Sequence, residues 1–393
     1  MAMAAQGTAS VLSPLDGYSG YQWGLYNDGS LVIDSASIST EAYEAMYKSF
    51  LDWVDRGGIG VPPMRPGPGD IVHTRIQSAA GVDMNVVKAL ELYDQKKAEG
   101  YGMRDVTVAV IDTGVDTSHL ELQSALWVNE DEIPGDGIDN DGNGYIDDVH
   151  GYDFYDHTNV IRTNRIADIH GTHAAGTIGA ARGNGGMTGL TDNEHVKIMV
   201  LKALGMNGGG TEESIVEAIR YAEANGADIC NLSLGGDEYF PVLDQTIASS
   251  SMLFVISAGN GDETGKGINT DLQPVYPAAY ASGNIISVAN LSLTGALAES
   301  SNYGAVSVDI AAPGTYILST IPGNRFDFLT GTSMAAPMVT GVCAMVYSFR
   351  TDYDLTAVRT AVLASARKLD SLKGLVASEG IPDMYAAMTF GWQ

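Results

Sequence analysis

Cysteine and positive charge are both scarce in this chain of 393 residues. Only Cys230 and Cys343 are present, each in an apolar run (Ile229-Cys230-Asn231-Leu232 and Val342-Cys343-Ala344). They read as small core residues, and two of them make neither a disulfide framework nor a cysteine metal site. Nor do they decide the redox compartment. Lys and Arg number 21 against 48 Asp and Glu, a net charge of −27. That field repels a phosphate backbone, which excludes nucleic acid as a partner. A run of about 18 apolar residues is also missing, so no membrane span is indicated. The start, Met1-Ala2-Met3-Ala4-Ala5-Gln6, lacks a basic stretch leading into an apolar one, so no secretory signal is visible. The expectation is a secreted protein in mature form, with the cytoplasm as the alternative.

What is present suits a large globular α/β protein. Apolar residues make up 45% of the chain, enough to bury a sizeable core. Residues 1–30, rich in Gly, Ser and Tyr, are expected to wrap the surface. Glu41 to Leu51 has a helical pattern, and Gly57 to Gly69, with Pro62, Pro63, Pro66 and Pro68, reads as a loop. From a helix at about 84–98, strand and helix patterns alternate. Strands are expected at 106–111, 196–201, 227–232, 252–257 and 285–289. Helices are expected over Glu212–Asn225, from Ser333 to Phe349, and near 354–368 and 382–389. Such alternation predicts a parallel sheet with helices on both faces.

Three short peptides carry chemistry. Val108 to Gly114 ends a β-branched run on Asp112, at the strand edge where α/β sheets hold ligands. His170-Gly171-Thr172-His173 opens a helical run of small residues, and Gly331-Thr332-Ser333 opens another that tolerates Pro337 in its first turns. Alone, Asp112 is a turn residue and Ser333 a helix cap. His170 and His173 are three apart with no Glu between, unlike the four-residue spacing of zinc helices. Together the three supply a carboxylate to orient an imidazole, an imidazole to act as base, and a hydroxyl at a positive helix end.

Between Asp112 and His170 lies Asp136 to Asp148, with oxygens at alternating positions. Counted from Asp139, positions one, three and five are Asp139, Asp141 and Asn143. Gly144 is at six, the Tyr145 carbonyl at seven and Asp147 at nine, as in a calcium loop. Position twelve is His150 rather than Glu, so Asp147 or Asp148 must close the site. Calcium is therefore the expected cofactor; an acidic turn without metal is the plain alternative.

The three peptides resemble the active-site signatures of the subtilisin-like serine proteases (subtilases), with Asp, His and Ser in that family's order. The order is carried over from the family rather than deduced. The similarity covers roughly residues 84–393, and more faintly Gln22-Trp23-Gly24-Leu25. It implies a three-layer αβα sandwich around a mostly parallel sheet as catalytic domain (84–393). An N-terminal extension or insert (1–83) and a calcium-loop insertion at about 129–150 complete the expected organisation. It also implies that Asn260, in Ser257-Ala258-Gly259-Asn260, donates to the oxyanion. Ser233, Leu234 and Gly235 resemble the strand that pairs with substrate and walls its specificity pocket. Val275-Tyr276-Pro277-Ala278 resembles the opposite wall, and Gly208-Gly209-Gly210 the other substrate-pairing strand.

The expected activity is that of a serine endopeptidase acting on peptide or protein substrates. The alternative is a non-catalytic, calcium-stabilised peptide-binding pseudoprotease. A lipase is disfavoured because Gly-Thr-Ser-Met-Ala is not a Gly-x-Ser-x-Gly elbow. Ala174 stands where the family has Val or Ile, and 31–75 has no counterpart in it. Asp262, Glu263 and Glu212 point to basic substrate side chains, or simply to a solvated acidic surface. The family's usual calcium loop corresponds to Ala181–Met187, poor in side-chain oxygens, with Glu121 as one available ligand. An inhibitory propeptide, absent from this chain, is a further expected partner; segment 31–75 is a candidate regulator.

Overall fold

A computed structural model describes residues 3–6, 15–38, 71–163, 166–205, 208–262 and 264–392. The expected helix at Glu41–Leu51, the Gly/Pro segment 57–69 and Glu263 lie outside them. Three strands, β1 (Met3–Gln6), β2 (Val32–Ile38) and β3 (Ile71–Gln77), form an antiparallel sheet, β2 and β3 pairing from Val32↔Gln77 to Ile38↔Ile71.

The main sheet comprises β4 (Val106–Asp112), β5 (Gly151–Asp153), β6 (Val196–Lys202), β7 (Ile229–Leu232), β8 (Leu253–Ser257), β9 (Ile285–Leu291) and β10 (Ile310–Pro313). Its order is β10-β9-β8-β7-β4-β6-β5, parallel throughout. The chain leaves β4 toward β5 and β6, then crosses back to β7 and continues the other way. The carboxyl ends of β4 and β7 thus flank a topological switch point, where open α/β sheets hold ligands.

Alternation along β4 shows why both faces must be covered. Val108 and Val110 enter one core, and Ala109 and Ile111 the other. The first face receives α1 (Val86–Ala98) and α2 (Ile169–Gly179), the second α3 (Glu212–Ala224) and α4 (Pro241–Ser249). The first face is completed by α5 (Thr332–Phe349), α6 (Leu355–Ala364) and α7 (Met384–Met388). This is the expected three-layer sandwich. Helix α5 is long and apolar enough to span a membrane, but 89% of it is buried as the core helix under the sheet.

Several boundaries moved for local reasons. Helix α6 stops at Ala364 rather than near 368, because Arg367 and Lys368 pair with Ile381 and Gly380. Helix α4 and the hairpin β11 (Ile317–Ile321) with β12 (Arg325–Leu329) were not anticipated. Yet α4 begins on Pro241 and buries Leu243 and Ile247, four apart, and the hairpin turns at Pro322-Gly323-Asn324. Residues 15–30 do more than wrap the surface: Leu15, Trp23 and Leu25 lie in the core, and the Trp23 indole donates to the Thr315 carbonyl (3.0 Å). An apolar body of that size is worth more inside than in water.

Candidate active site

Asp112 ends β4 with its carboxylate 1% exposed. Its Oδ1 accepts from the Thr113 N–H (2.6 Å), and both oxygens reach His170 Nδ1, at 2.8 and 2.9 Å. His170 stands in the first turn of α2. Only glycine after it allows so close an approach: a Cβ on Gly171 would lie 2.3 Å from the Gly114 carbonyl oxygen and 3.2 Å from Asp112 Oδ1. Burial opposes the imidazolium, but the charge of Asp112 and its hydrogen bond outweigh that and raise the His170 pKa. Because Asp112 is acceptor-only, Nδ1 carries the proton in neutral His170 and Nε2 is left as the base. His173 does not join it. That ring is fully buried against the Ile317 carbonyl (2.9 Å), and burial pushes its pKa down to about 4.

Ser333 lies in the first turn of α5, so its N–H has no partner within the helix. Its hydroxyl donates to the Ser233 carbonyl at 3.3 Å, and His170 and Ser333 line the same cleft. Asn260 follows β8 and is exposed to that cleft. Its Oδ1 accepts from the Thr332 N–H (2.8 Å) and hydroxyl (3.1 Å). A backbone N–H can only donate, so the amide oxygen must face α5 and Nδ2 is turned away from it. Thr332 thus orients Asn260, a role the peptide comparison did not supply.

The cleft holds about 1290 Å³, larger than the usual small-molecule site. Ser233, Leu234, Gly235, Gly210 and Val275 all line it. Gly210 pairs with Leu204, whose Cδ2 would lie 2.6 Å from an added Cβ. Gly236 and Tyr276 exchange two backbone hydrogen bonds, of 2.9 and 2.8 Å. Val275 fills the space between Gly235 and Gly259: its Cγ1 is 3.3 Å from where a Cβ on Gly235 would be and 3.4 Å from one on Gly259. Of the acids singled out for basic substrates, Asp262 lines the cleft but accepts from the Thr264 N–H (2.8 Å) and hydroxyl (2.6 Å). Glu212 accepts from the Leu243 N–H (3.2 Å) instead, tying α3 to α4.

In the acidic loop, carboxylate oxygens of Glu132, Asp139 and Asp141 lie within 4.8 Å of one another. Glu132 precedes the twelve-residue window, which is why the motif count missed it. Asp139 accepts from the N–H groups of Gly142, Asn143 and Gly144 (2.7–3.1 Å), and Asn143 Oδ1 from that of Tyr145 (2.8 Å). The expected closing residues make hydrogen bonds of their own as well. Asp147 accepts from Gly135 (2.7 Å) and Gly137 (3.2 Å). Asp148 is fully buried and takes hydrogen bonds from Asn129, Asn143 and the Tyr221 hydroxyl. By the loop after α2, Glu121 accepts from Asn184 (2.9 Å), and Asp16 accepts from Gly183 and Gly185 (2.8 and 2.9 Å). Asp16 is a neighbour that the sequence comparison did not foresee.

The model of the Subtilase family matches residues 103–382. The chain is 36% identical to the Major intracellular serine protease of Bacillus subtilis over 68% of its own length and 74% of that protein's. It is 32% identical to Subtilisin DY of Bacillus licheniformis, over 72% and 93% respectively. Among solved structures it resembles proteases from Pseudoalteromonas arctica, with a TM-score of 0.60, 26% identity, and coverage of 78% of this chain and 94% of that one. A cold-adapted subtilisin-like serine proteinase gives a TM-score of 0.52 at 25% identity, over 72% and 89%. With the sandwich, the cleft and these matches in agreement, the chain belongs to the subtilase family of serine proteases.

Proposed function

We propose that this protease cleaves peptide bonds within polypeptides through an acyl-enzyme made on Ser333. The Ser333 hydroxyl turns from the Ser233 carbonyl to His170 Nε2, gives up its proton there and attacks the scissile carbonyl. Asp112 holds His170 and stabilises the imidazolium, which then protonates the leaving amine; water repeats the sequence to release the acid. The Ser333 N–H and Asn260 Nδ2 receive the oxyanion. The observation that carries this reading is the two-oxygen grip of buried Asp112 on His170 Nδ1, in a cleft shared with Ser333. A substrate strand would lie between 208–210 and 233–235, adding to both by backbone hydrogen bonds. Val275 leaves room only for a small side chain just before the scissile bond. The pseudoprotease alternative has nothing in its favour, since every group the chemistry needs is present.

Replacing Ser333 by Ala tests the reading. In subtilisin, loss of the corresponding serine lowers turnover by about a million-fold. A purified Ser333→Ala protein that still cleaved casein at a comparable rate would overturn it.

We further propose that calcium binds the acidic loop. Three carboxylate oxygens within 4.8 Å of one another match ligands set ~2.4 Å from one cation. Glu132, Asp139 and Asp141 would hold it, with Asn143 and the Tyr145 carbonyl as the further expected oxygens. The cation would offset repulsion among carboxylates and so stabilise the loop.

A further inference from the structure

Helix α5 has a defect four residues after Ser333. The Ser333 carbonyl should accept from the N–H of residue 337, but that residue is Pro337, which has none. The Ser233 hydroxyl supplies the missing donor, 3.0 Å from the Ser333 carbonyl oxygen. From that point the direction of a buried chain of hydrogen bonds is forced. Since a carbonyl can only accept, Ser233 Oγ must donate to it. The hydroxyl then has only lone pairs to offer Asn231, so Asn231 turns its Nδ2 toward it (3.1 Å). That leaves Asn231 Oδ1 facing Thr340, which must donate in turn (2.9 Å), sharing its proton with the Ala336 carbonyl (3.0 Å). Asn231 and Thr340 are completely buried and Ser233 is 5% exposed, so water does not substitute for any member.

We propose that Thr340, Asn231 and Ser233 are positioning residues for the nucleophile. Their relay replaces the helical hydrogen bond that Pro337 removes and holds the Ser333 main chain, with its N–H aimed into the cleft, while the Ser333 hydroxyl swings from the Ser233 carbonyl to His170. The inference rests on Ser333 being the nucleophile. It places the relay's effect on the chemical step rather than on substrate affinity, because Asn231 and Thr340 do not line the cleft and the Ser233 hydroxyl is turned to the Ser333 carbonyl, leaving its backbone to meet the cleft.

The test uses the full-length protease and a chromogenic peptide. Ser233→Ala and Thr340→Val are each expected to lower kcat roughly tenfold, as for a lost buried hydrogen bond, with KM changed less than about twofold. Thr340→Ser, which keeps the hydroxyl, should restore kcat. The decisive variant is Ser233→Ala combined with Pro337→Ala: the new N–H at 337 can reach the Ser333 carbonyl and should recover most of the lost kcat. Where a variant folds poorly, the rate of Ser333 labelling by a fluorophosphonate, taken per native molecule, reads the same quantity. Unchanged kcat in Ser233→Ala, or no recovery on adding Pro337→Ala, overturns the relay. A Ser333→Ala control that remained active would instead overturn the nucleophile assignment itself.

Discussion

Substrate choice should turn on Val275. Its Cγ1 occupies the gap between Gly235 and Gly259, within 3.4 Å of where a side chain on either would begin. Replacing it by glycine removes three carbons from the floor of the pocket. A large apolar substrate side chain that then buries three more carbons gains about 0.8 kcal/mol for each, or about 2.4 kcal/mol. Each ~1.36 kcal/mol is tenfold in rate, so the ratio of kcat/KM for a Phe peptide to that for an Ala peptide should rise roughly fifty-fold. The assay compares matched nitroanilide peptides with Ala, Leu or Phe before the scissile bond. The native enzyme is expected to prefer Ala, and Val275→Gly to prefer Phe. Native preference for Phe, or a ratio moved by less than about fivefold in the variant, would refute this account of the pocket.

Asn260→Leu should cut kcat by ~100–1000-fold with little change in KM, as for the corresponding donor of subtilisin. Because Asp112 raises the His170 pKa, the base is lost by protonation as pH falls through that raised value. The acid limb of kcat/KM should therefore have its midpoint above the ordinary 6.5, and Asp112→Asn should move the residual activity's limb to lower pH. A chelator should lower the unfolding temperature of the native protein by roughly 3 °C, read by calorimetry, since a ligand at a hundred times its Kd contributes ~2.7 kcal/mol, spread over the unfolding entropy of a chain this long. Glu132→Gln should shrink that shift, and an equal shift in the variant would remove Glu132 from the site.

Much of this was legible because the decisive residues sit on strongly patterned elements. The β-branched run ending at Asp112 could only be a buried strand, and the small-residue run after His170 only a tightly packed helix. Ser333, Asn260 and Gly210 were reached through short peptides whose neighbours are constrained by close backbone approach. What sequence did not reveal was which side chain completes a constellation from outside its peptide. Glu132 joins Asp139 and Asp141 from beyond the loop motif, and Thr332 orients Asn260 across 72 positions. Val275 illustrates a subtler limit: its membership of the pocket follows from its peptide, but its place between two glycines follows only from how three segments pack.

Helix α5 carries Ser333 in its first turn and then runs through the middle of the core, with Val339, Val342 and Val346 fully buried. Amides deep in such a helix exchange with solvent only when the whole domain opens, whereas the Ser333 N–H, in the first turn, has no helical partner to protect it. One helix thus joins a terminus whose backbone groups are left for others to hold to a body that moves only with the whole fold.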